Sequence, residues 1–503
     1  MNLKQSLTSS ASRHPLATLI LLAMLILLPG NDVIIPDIME SRNLITAREM
    51  VSDGHWIVPT MNGELRLEKP PLPTWVAAWT SMLVGEAWPF MRLVPALMAI
   101  LLLVFFYRYC RDVAPRAALA SSLILLTCYN FVLAARTVSW DIYCHAFQMA
   151  GIFYLSRLLL RRGNAWRNAL LAGIMTGLSI LSKGPVSPYA LLLPWLIAWL
   201  ITQRRDTAGS DSSQQRLWPK IIVVIVTALI VGGLWYAYIW HVQSTAGMAT
   251  LDKETTAWQN RNVRPWYYYW SFFTETGIWI PLCLAALLMP LFRKAKALPI
   301  LDKPYRMALV WTLATLVLLS LMPEKKNRYL LPILLPASLM MGTWLMQQLE
   351  AGHRWLKKAV AVVTCLFVLL ACAGMPLLRG LLTNAGYTAP APVMAESQLN
   401  GIDLREQYIG VPAYWAQGEE LRIELVYDMG RKVTEADLLD SATVAQLPRP
   451  ALLMVCVTLS KDSLQLDRLG PQHYLGTFDA NRHAKGKRRY KPFFIYDLIL
   501  LDE

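Results

Sequence analysis

A mainly α-helical, polytopic membrane protein of about eleven spans is what this sequence predicts, on three observations. Of its 503 residues 55% are hydrophobic and only 16% charged, with a mean hydropathy of +0.37, a balance foreign to an ordinary soluble domain. Apolar runs near the roughly 20 residues that a bilayer-crossing helix needs recur between residues 15 and 377. The connections between them are basic at every second position along the chain, as a topology signal requires.

Taken in order, the spans are expected at 15–29, 89–107, 114–133, 142–160, 168–182, 185–202, 219–241, 271–292, 305–322, 329–347 and 359–377. Prolines such as Pro185, Pro188, Pro194, Pro281, Pro332 and Pro336 lie inside or at the ends of these runs. There they break or kink helices where neighbours can satisfy the freed carbonyls. The net charge of +14 is read as orientation and not as nucleic-acid binding, and no nucleic-acid partner is expected. Lys4 and Arg13 precede the first span, Arg108, Arg111 and Arg116 follow the second, and "RLLLRRGNAWR" (157–167), "QRRD" (203–206), "RKAK" (293–296) and "HRWLKK" (353–358) occupy alternate loops after that. These loops and the N-terminus are therefore assigned to the cytoplasm. The first span reads as an uncleaved anchor, since no small-x-small cleavage site follows it.

The assignment places residues 30–88, the turns near 134–141 and 182–187, residues 241–270, "MPEKKNR" (322–328) and everything after 377 on the outer face. "EKKNR" is basic on the wrong side for a topology signal, which suggests an anion site. Within 30–88, "SRNLITAREMVSDG" has Leu44, Ala47, Met50 and Val51 at helical spacing against Arg42, Arg48, Glu49 and Asp53. An amphipathic helix along the membrane surface is expected, stopped at Gly54. Two domains are expected, 1–377 in the membrane, with its first outer loop 30–88, and 378–503 outside it. In the latter, "IELVYDM" (423–429), "ALLMVCVTL" (451–459) and "FFIYDLILL" (493–501) read as strands alternating with helices in a small α/β domain. The seven cysteines lie mostly in apolar runs without metal-type spacing and read as core residues. "TAGSDSSQQ" (207–215) reads as a flexible loop, and "AKGKRRYK" (484–491) as a solvated charge run able to touch anionic lipid headgroups.

Charged residues crowd the outer ends of the spans: Asp37, Glu40, Arg42, Glu68, Lys69, Arg136, Asp141, Lys183, Arg264 and "EKKNRY" (324–329). An ionisable group at membrane depth costs ~2.5–3.5 kcal/mol on insertion scales, so their gathering on one face calls for a reason: interfacial snorkelling covers residues such as Arg136 and Arg264 but does not easily cover Asp141. His145, one turn after Asp141, reads as a core histidine. The Trp and Tyr enrichment is mostly structural, although "WYYYW" (266–270) can line a pocket.

The order of these motifs resembles the membrane glycosyltransferases of C-type fold, in particular the aminoarabinose transferase and protein O-mannosyltransferase superfamily. The resemblance rests on Glu40 and Arg42, Ala47-Arg48-Glu49-Met50, Gly54, Trp56, Pro59, Asn62-Gly63 and Glu68-Lys69-Pro70-Pro71, then on "TVSWDIYCHAF", "LSKGPVSPYALLLPWL", "RPWYYYW" and "EKKNRYLLPILLP". It implies inverting transfer of a sugar from a polyprenyl-phosphate donor to a lipid A-like lipid, glycan or protein acceptor, at the periplasmic face of a bacterial inner membrane. It further implies a carboxylate base, Glu40 or Asp37, because the family's usual aspartate falls on Met39. Asp141 is the family's second acidic motif. Arg42, Glu68, Lys69, Lys183, Lys325, Lys326, Arg328, Tyr329, Tyr267 and Tyr268 are then expected to bind donor phosphate and sugar. Some relatives bind a divalent metal through the glutamate of E-K-P-P and a histidine before the aromatic loop. Here "WQNRNVRPWYYY" carries no histidine, which leaves a metal at Glu68 open. A transporter or flippase of a lipid-linked substrate is the alternative reading; it would carry midplane charge and matching halves, and the sequence shows neither.

Overall fold

The computed structural model describes residues 13–203, 217–291 and 302–390, and then 411–416, 421–437, 443, 446–457, 470–487, 489–491 and 494–501. Lys4, the loop 207–215 and the basic stretch 293–296 lie outside the described residues. Internal contacts divide the chain into a helical unit (1–29, 66–80 and 89–372) and a second unit (30–65, 81–88 and 373–503). The first outer segment, assigned by sequence to the membrane domain, is thus grouped mostly with the C-terminal region.

In the helical unit each of the eleven apolar runs forms helix. Among the described residues six helices, Trp88–Val113, Trp218–Val242, Trp266–Leu291, Lys303–Leu321, Asn327–Glu350 and Trp355–Leu377, are long and apolar enough to cross a membrane. A seventh arises if Pro115–Leu126 and Tyr129–Ala135, bent by 68°, form one span. The bend has a local cause. Cys128 leaves the helical region (ψ 134), and the Thr127 hydroxyl at the break accepts a hydrogen bond from Trp279 Nε1 at 2.8 Å. Trp140–Leu159 and Ala165–Lys183 are full-length helices with more polar faces, and Pro15–Leu27 and Pro188–Thr202 are shorter apolar ones. One further apolar helix, Leu72–Val84, was not anticipated, because the prolines at 70, 71 and 73 make its start read as loop; proline is at home in a first turn.

The packing of this unit rests on close approaches and on buried aromatics. Tyr109, Trp195 and Trp311 are fully buried, with ring centroids 6.5 and 5.9 Å from Tyr109, and the Trp195 indole donates to the Tyr109 hydroxyl at 2.9 Å. Ala165–Lys183 meets Trp218–Val242 through glycines: a Cβ on Gly177 would stand 2.6 Å from Val231 Cβ and 3.1 Å from the Ala228 carbonyl. Small residues let two helix backbones approach in the absence of a hydrophobic driving force between them.

The second unit holds a five-stranded mixed sheet. Its strands are β3 (Ala413–Ala416), β4 (Val433–Ala436), β5 (Ala451–Cys456), β6 (Gln472–Asp479) and β7 (Ile495–Leu501), in the order β4-β3-β5-β7-β6; β3 runs parallel to β4 and β5, the other pairs antiparallel. The strand expected at 423–429 is instead the helix Ile423–Met429, halted by left-handed Gly430 (φ 71). A short apolar run does not distinguish strand from helix by periodicity; the following glycine was the signal to weigh. Ile38–Ser52 is helical as expected and stops before Gly54 (φ 75). It is not amphipathic in the manner of a surface helix, because Glu40, Ser41, Asn43, Leu44, Ile45, Thr46, Ala47, Glu49 and Met50 bury it around its circumference. A small hairpin, β1 (Thr60–Met61) with β2 (Glu64–Leu65), turns on Asn62 (φ 56) and Gly63 (φ 80), the pair a two-residue hairpin loop favours.

The glycine contacts make a paired prediction. Gly177→Val should lower stability by about 1–3 kcal/mol through overpacking, whereas Gly233→Val, with nothing within 4 Å of the new Cβ, should be neutral or slightly stabilising, because valine has the better helix propensity of the two. Thermal unfolding of the purified protein in detergent measures both.

Candidate functional site

Two consecutive helices place the most buried charges. Trp140–Leu159 begins after extended Ser139, with Asp141 in its first turn, and Ala165–Lys183 ends on Lys183, where Gly184 (φ 71) breaks the helix. The connection between them is short and turns on Arg161 (φ 56) and Gly163 (φ 74), so the start of one helix returns beside the end of the other. An acid at a helix N-terminus and a base at a C-terminus both suit the helix dipole. Here they meet: the Lys183 ammonium donates to Asp141 Oδ1, with side chains only 7% and 8% exposed. Below them His145 is a core histidine, as expected, its Nδ1 2.8 Å from the Ser187 hydroxyl.

The stretch 324–329 closes on this pair from the far end of the helical unit. The Tyr329 ring is faced by three cations, Lys183 Nζ at 5.2 Å, Arg328 Cζ at 5.5 Å and Lys326 Nζ at 5.8 Å from its centroid. Lys326 is paired with Glu324 at 2.5 Å, and Glu324 also accepts from Arg261 Nε at 3.3 Å and from the Tyr329 hydroxyl at 3.4 Å. Burial pushes the Glu324 carboxyl up, but Lys326 and Arg261 outweigh that and hold its pKa below the ordinary glutamate range. The backbone here is pinned from the aromatic loop. The Tyr269 hydroxyl accepts from Lys326 N at 2.8 Å and donates to Lys326 O at 3.1 Å, Tyr268 donates to Asn327 Oδ1 at 2.8 Å, and Val263 bridges Glu324. Of the residues expected to bind phosphate, Lys325 is turned away, its ammonium donating to the Met322 carbonyl. Tyr267 is exposed and packs against Trp266.

Glu68 and Lys69 meet a second such couple. Lys69 Nζ lies 3.4 Å from Glu254, and Glu68 Oε1 lies 3.6 Å from Lys253, on the helix Ser244–Asn260. Burial lowers the Lys69 pKa; Glu254 opposes the shift and Lys183 adds to it, an electrostatic link between Lys69 and the Asp141–Lys183 pair. The other Glu68 oxygen is buried without a hydrogen-bond partner among the described residues. The Lys253 ammonium stands beside the same carboxylate, and no group of three His, Cys, Asp or Glu able to hold a metal occurs among the described residues.

Asp37, Glu40 and Arg42 belong to the second unit. Asp37 is the N-cap of Ile38–Ser52, its Oδ1 accepting from Met39 N and Glu40 N at 2.9 Å each, a structural duty that the sequence reading did not assign. Glu40, in the first turn, is 3% exposed, and Arg42 is partly buried. Sequence reasoning missed Arg261, Lys253 and Glu254, quoted Glu324 without giving it a role, and met Tyr269 only as part of the pocket-lining "WYYYW". The charge alternation of "LDKETT" (251–256) just after a span was the available signal for Lys253 and Glu254.

Residues 68–236 match the family described as dolichyl-phosphate-mannose-protein mannosyltransferase. The undecaprenyl phosphate-alpha-4-amino-4-deoxy-L-arabinose arabinosyl transferases of Pseudomonas savastanoi pv. phaseolicola and Pseudomonas aeruginosa are each 26% identical, over 66% and 73% of this chain. The chain spans 61% and 66% of their lengths, less than two thirds. Among solved structures, ArnT from Cupriavidus metallidurans bound to undecaprenyl phosphate superposes with a TM-score of 0.67 at 17% identity, over 97% of this chain and 98% of that one. The Archaeoglobus fulgidus oligosaccharyltransferase gives 0.53 at 11% identity, over 89% and 70%. The fold is the C-type fold that the motifs implied.

The depressed Glu324 pKa has a pH consequence. A carboxylate whose folded pKa lies below its unfolded value contributes stability that is complete above the unfolded value, about 4.5, and is lost as the pH falls through the folded one. Melting temperature measured against pH should therefore fall on the acid side of about 4.5, and Glu324→Gln should flatten that limb.

Proposed function

We propose that this chain transfers a sugar from a polyprenyl-phosphate donor to an acceptor at the periplasmic face of a bacterial inner membrane, with inversion at the anomeric carbon. The observation that carries the reading is the set of cations, Lys183, Lys326 and Arg328, gathered round the Tyr329 ring. The bond to be broken joins the sugar's anomeric carbon to the lipid phosphate, and the leaving group is an anion. Cations held in place before the reaction stabilise such charge without reorganising, arginine by a bidentate fork and lysine as a point charge. Lys69 adds to the set once Glu254 yields to the phosphate. The likeness to the structure bound to undecaprenyl phosphate and to the arabinosyl transferases supports this class of donor.

The acceptor oxygen attacks the anomeric carbon, the phosphate departs with the bonding electrons, and a carboxylate takes the acceptor's proton. Glu40 is the candidate base, with Asp37 as the alternative; burial of Glu40 and the capping bonds of Asp37 favour the former. Asp141 acts through Lys183, which it holds in place. Tyr268 fixes the turn that carries Lys326 and Arg328, and Tyr267 is offered to the sugar. In this reading all eleven apolar helices cross the bilayer, with the N-terminus cytoplasmic, residues 1–377 forming the membrane domain and 378–503 a periplasmic α/β domain. Lipid A-like lipids, glycans and protein hydroxyls are the acceptor classes.

Mass spectrometry of envelope lipids, glycans and proteins from cells with and without the active chain identifies sugar and acceptor together. A single sugar mass shift that depends on the chain is expected, and removal of a working general base should cut its rate by about 10²–10⁴-fold. Wild-type product levels from both Glu40→Gln and Asp37→Asn would remove the base from the mechanism.

A further inference from the structure

The second unit contains an arrangement that the proposed chemistry has not used. The helix Ile38–Ser52, which carries Glu40, is gripped at successive points along its length by the C-terminal region. Just before its N-cap, the Arg482 guanidinium donates to the Pro36 carbonyl. Past its midpoint, Arg48 donates to the Tyr427 carbonyl at 3.3 Å and lies over the Tyr427 ring, 5.5 Å from its centroid. At its C-cap, Asp53 pairs with Lys432 at 2.7 Å. Beyond it, the Asn62 side chain copies a strand partner, accepting from Val433 N and donating to Val433 O, both at 2.8 Å.

The grip at the N-terminal end is itself braced. Arg482 binds Asp428 with one nitrogen at 2.8 and 2.9 Å from its two oxygens, the Tyr387 hydroxyl donates to Asp428 at 2.9 Å, and both charged residues are nearly buried. A buried pair of this kind is weak evidence for stability, because an apolar pair of equal volume serves the core as well. What it supplies is direction: the guanidinium is held so that its other nitrogen meets a carbonyl one residue before the cap, where the orientation of the first turn is decided. The first turn contains Glu40.

We infer that the C-terminal region acts as a splint for this helix, with Arg482 and Asn62 as positioning residues that fix the direction of the Glu40 carboxylate. The inference rests on the reading of the helix as the carrier of the catalytic base. It gives the C-terminal region work on the catalytic rate and none on donor binding, since the phosphate-facing cations belong to the helical unit.

The test uses the full-length purified chain, undecaprenyl phosphate-4-amino-4-deoxy-arabinose as donor and lipid A as acceptor, with undecaprenyl phosphate as the binding probe. Arg482→Ala should lower kcat by about 10²-fold, the effect of a misplacement near 1 Å, with affinity for undecaprenyl phosphate unchanged. Asn62→Ala, which strands no buried charge, should show the same split with a smaller loss and keeps the test valid if Arg482→Ala fails to fold. In the Glu40→Gln background neither change should cost anything further, because a misaimed base and an absent one are equivalent. Losses that multiply in that background, an affinity that falls with the rate, or unchanged kcat in both variants would overturn the splint alone. An unchanged rate in Glu40→Gln would overturn the assignment of the base and the splint with it, whereas full rates from both base variants would overturn the carboxylate-base mechanism itself.

Discussion

The buried pair of Asp141 and Lys183 is the constraint from which the helical unit's site is built. Two charges in an apolar helix bundle each carry a desolvation penalty of several kcal/mol, which their attraction offsets only when geometry and surrounding hydrogen bonds are right. That requirement fixes where two helices must begin and end. It also fixes a ring: Tyr329 lies over the Lys183 ammonium, so the turn carrying Lys326 and Arg328 is brought to the same place. The hydroxyl of Tyr269 then holds the Lys326 backbone on both its donor and its acceptor.

A common electrostatic design runs through the unit. Lys183 has Asp141, Lys326 has Glu324 and Lys69 has Glu254, so three lysines that would repel one another are each matched by a carboxylate. Under the proposed function, a lipid phosphate entering such a site would exchange one anion for another, so that no cation is left bare before or after. This also answers why Glu68 and Lys69 stand side by side. They are one half of a crossed double pair whose other half, Lys253 and Glu254, comes from a helix roughly 180 residues further along the chain.

The helical architecture was legible because lipid imposes a length and a polarity that composition reveals directly; all eleven runs are helices, and six meet the length and hydropathy of a span outright. The charged motifs were legible as a set, since ionisable groups beside spans are costly enough to call for a reason. Their pairing was not. Glu254 and Glu324 look like ordinary surface acids until tertiary structure brings them to Lys69 and Lys326, and Lys325 looks like its neighbour until its ammonium is found on a carbonyl of its own chain. The outer segments misled in a different way. Helix 38–52 carries helical periodicity, but its polar positions are buried as well, and periodicity cannot tell a helix wrapped by protein from one lying on a membrane. The run 423–429 is apolar enough for a strand, and packing made it a helix.

We propose these paired cations as the seat for a prenyl-linked phosphate, and a comparison of undecaprenyl phosphate with undecaprenol decides it. Native mass spectrometry of the purified chain should show a bound phosphate lipid that the alcohol does not displace, with retention lost in a Lys326→Ala, Arg328→Ala protein that remains folded. Equal retention of the alcohol and the phosphate, or undiminished binding by that variant, would contradict the account.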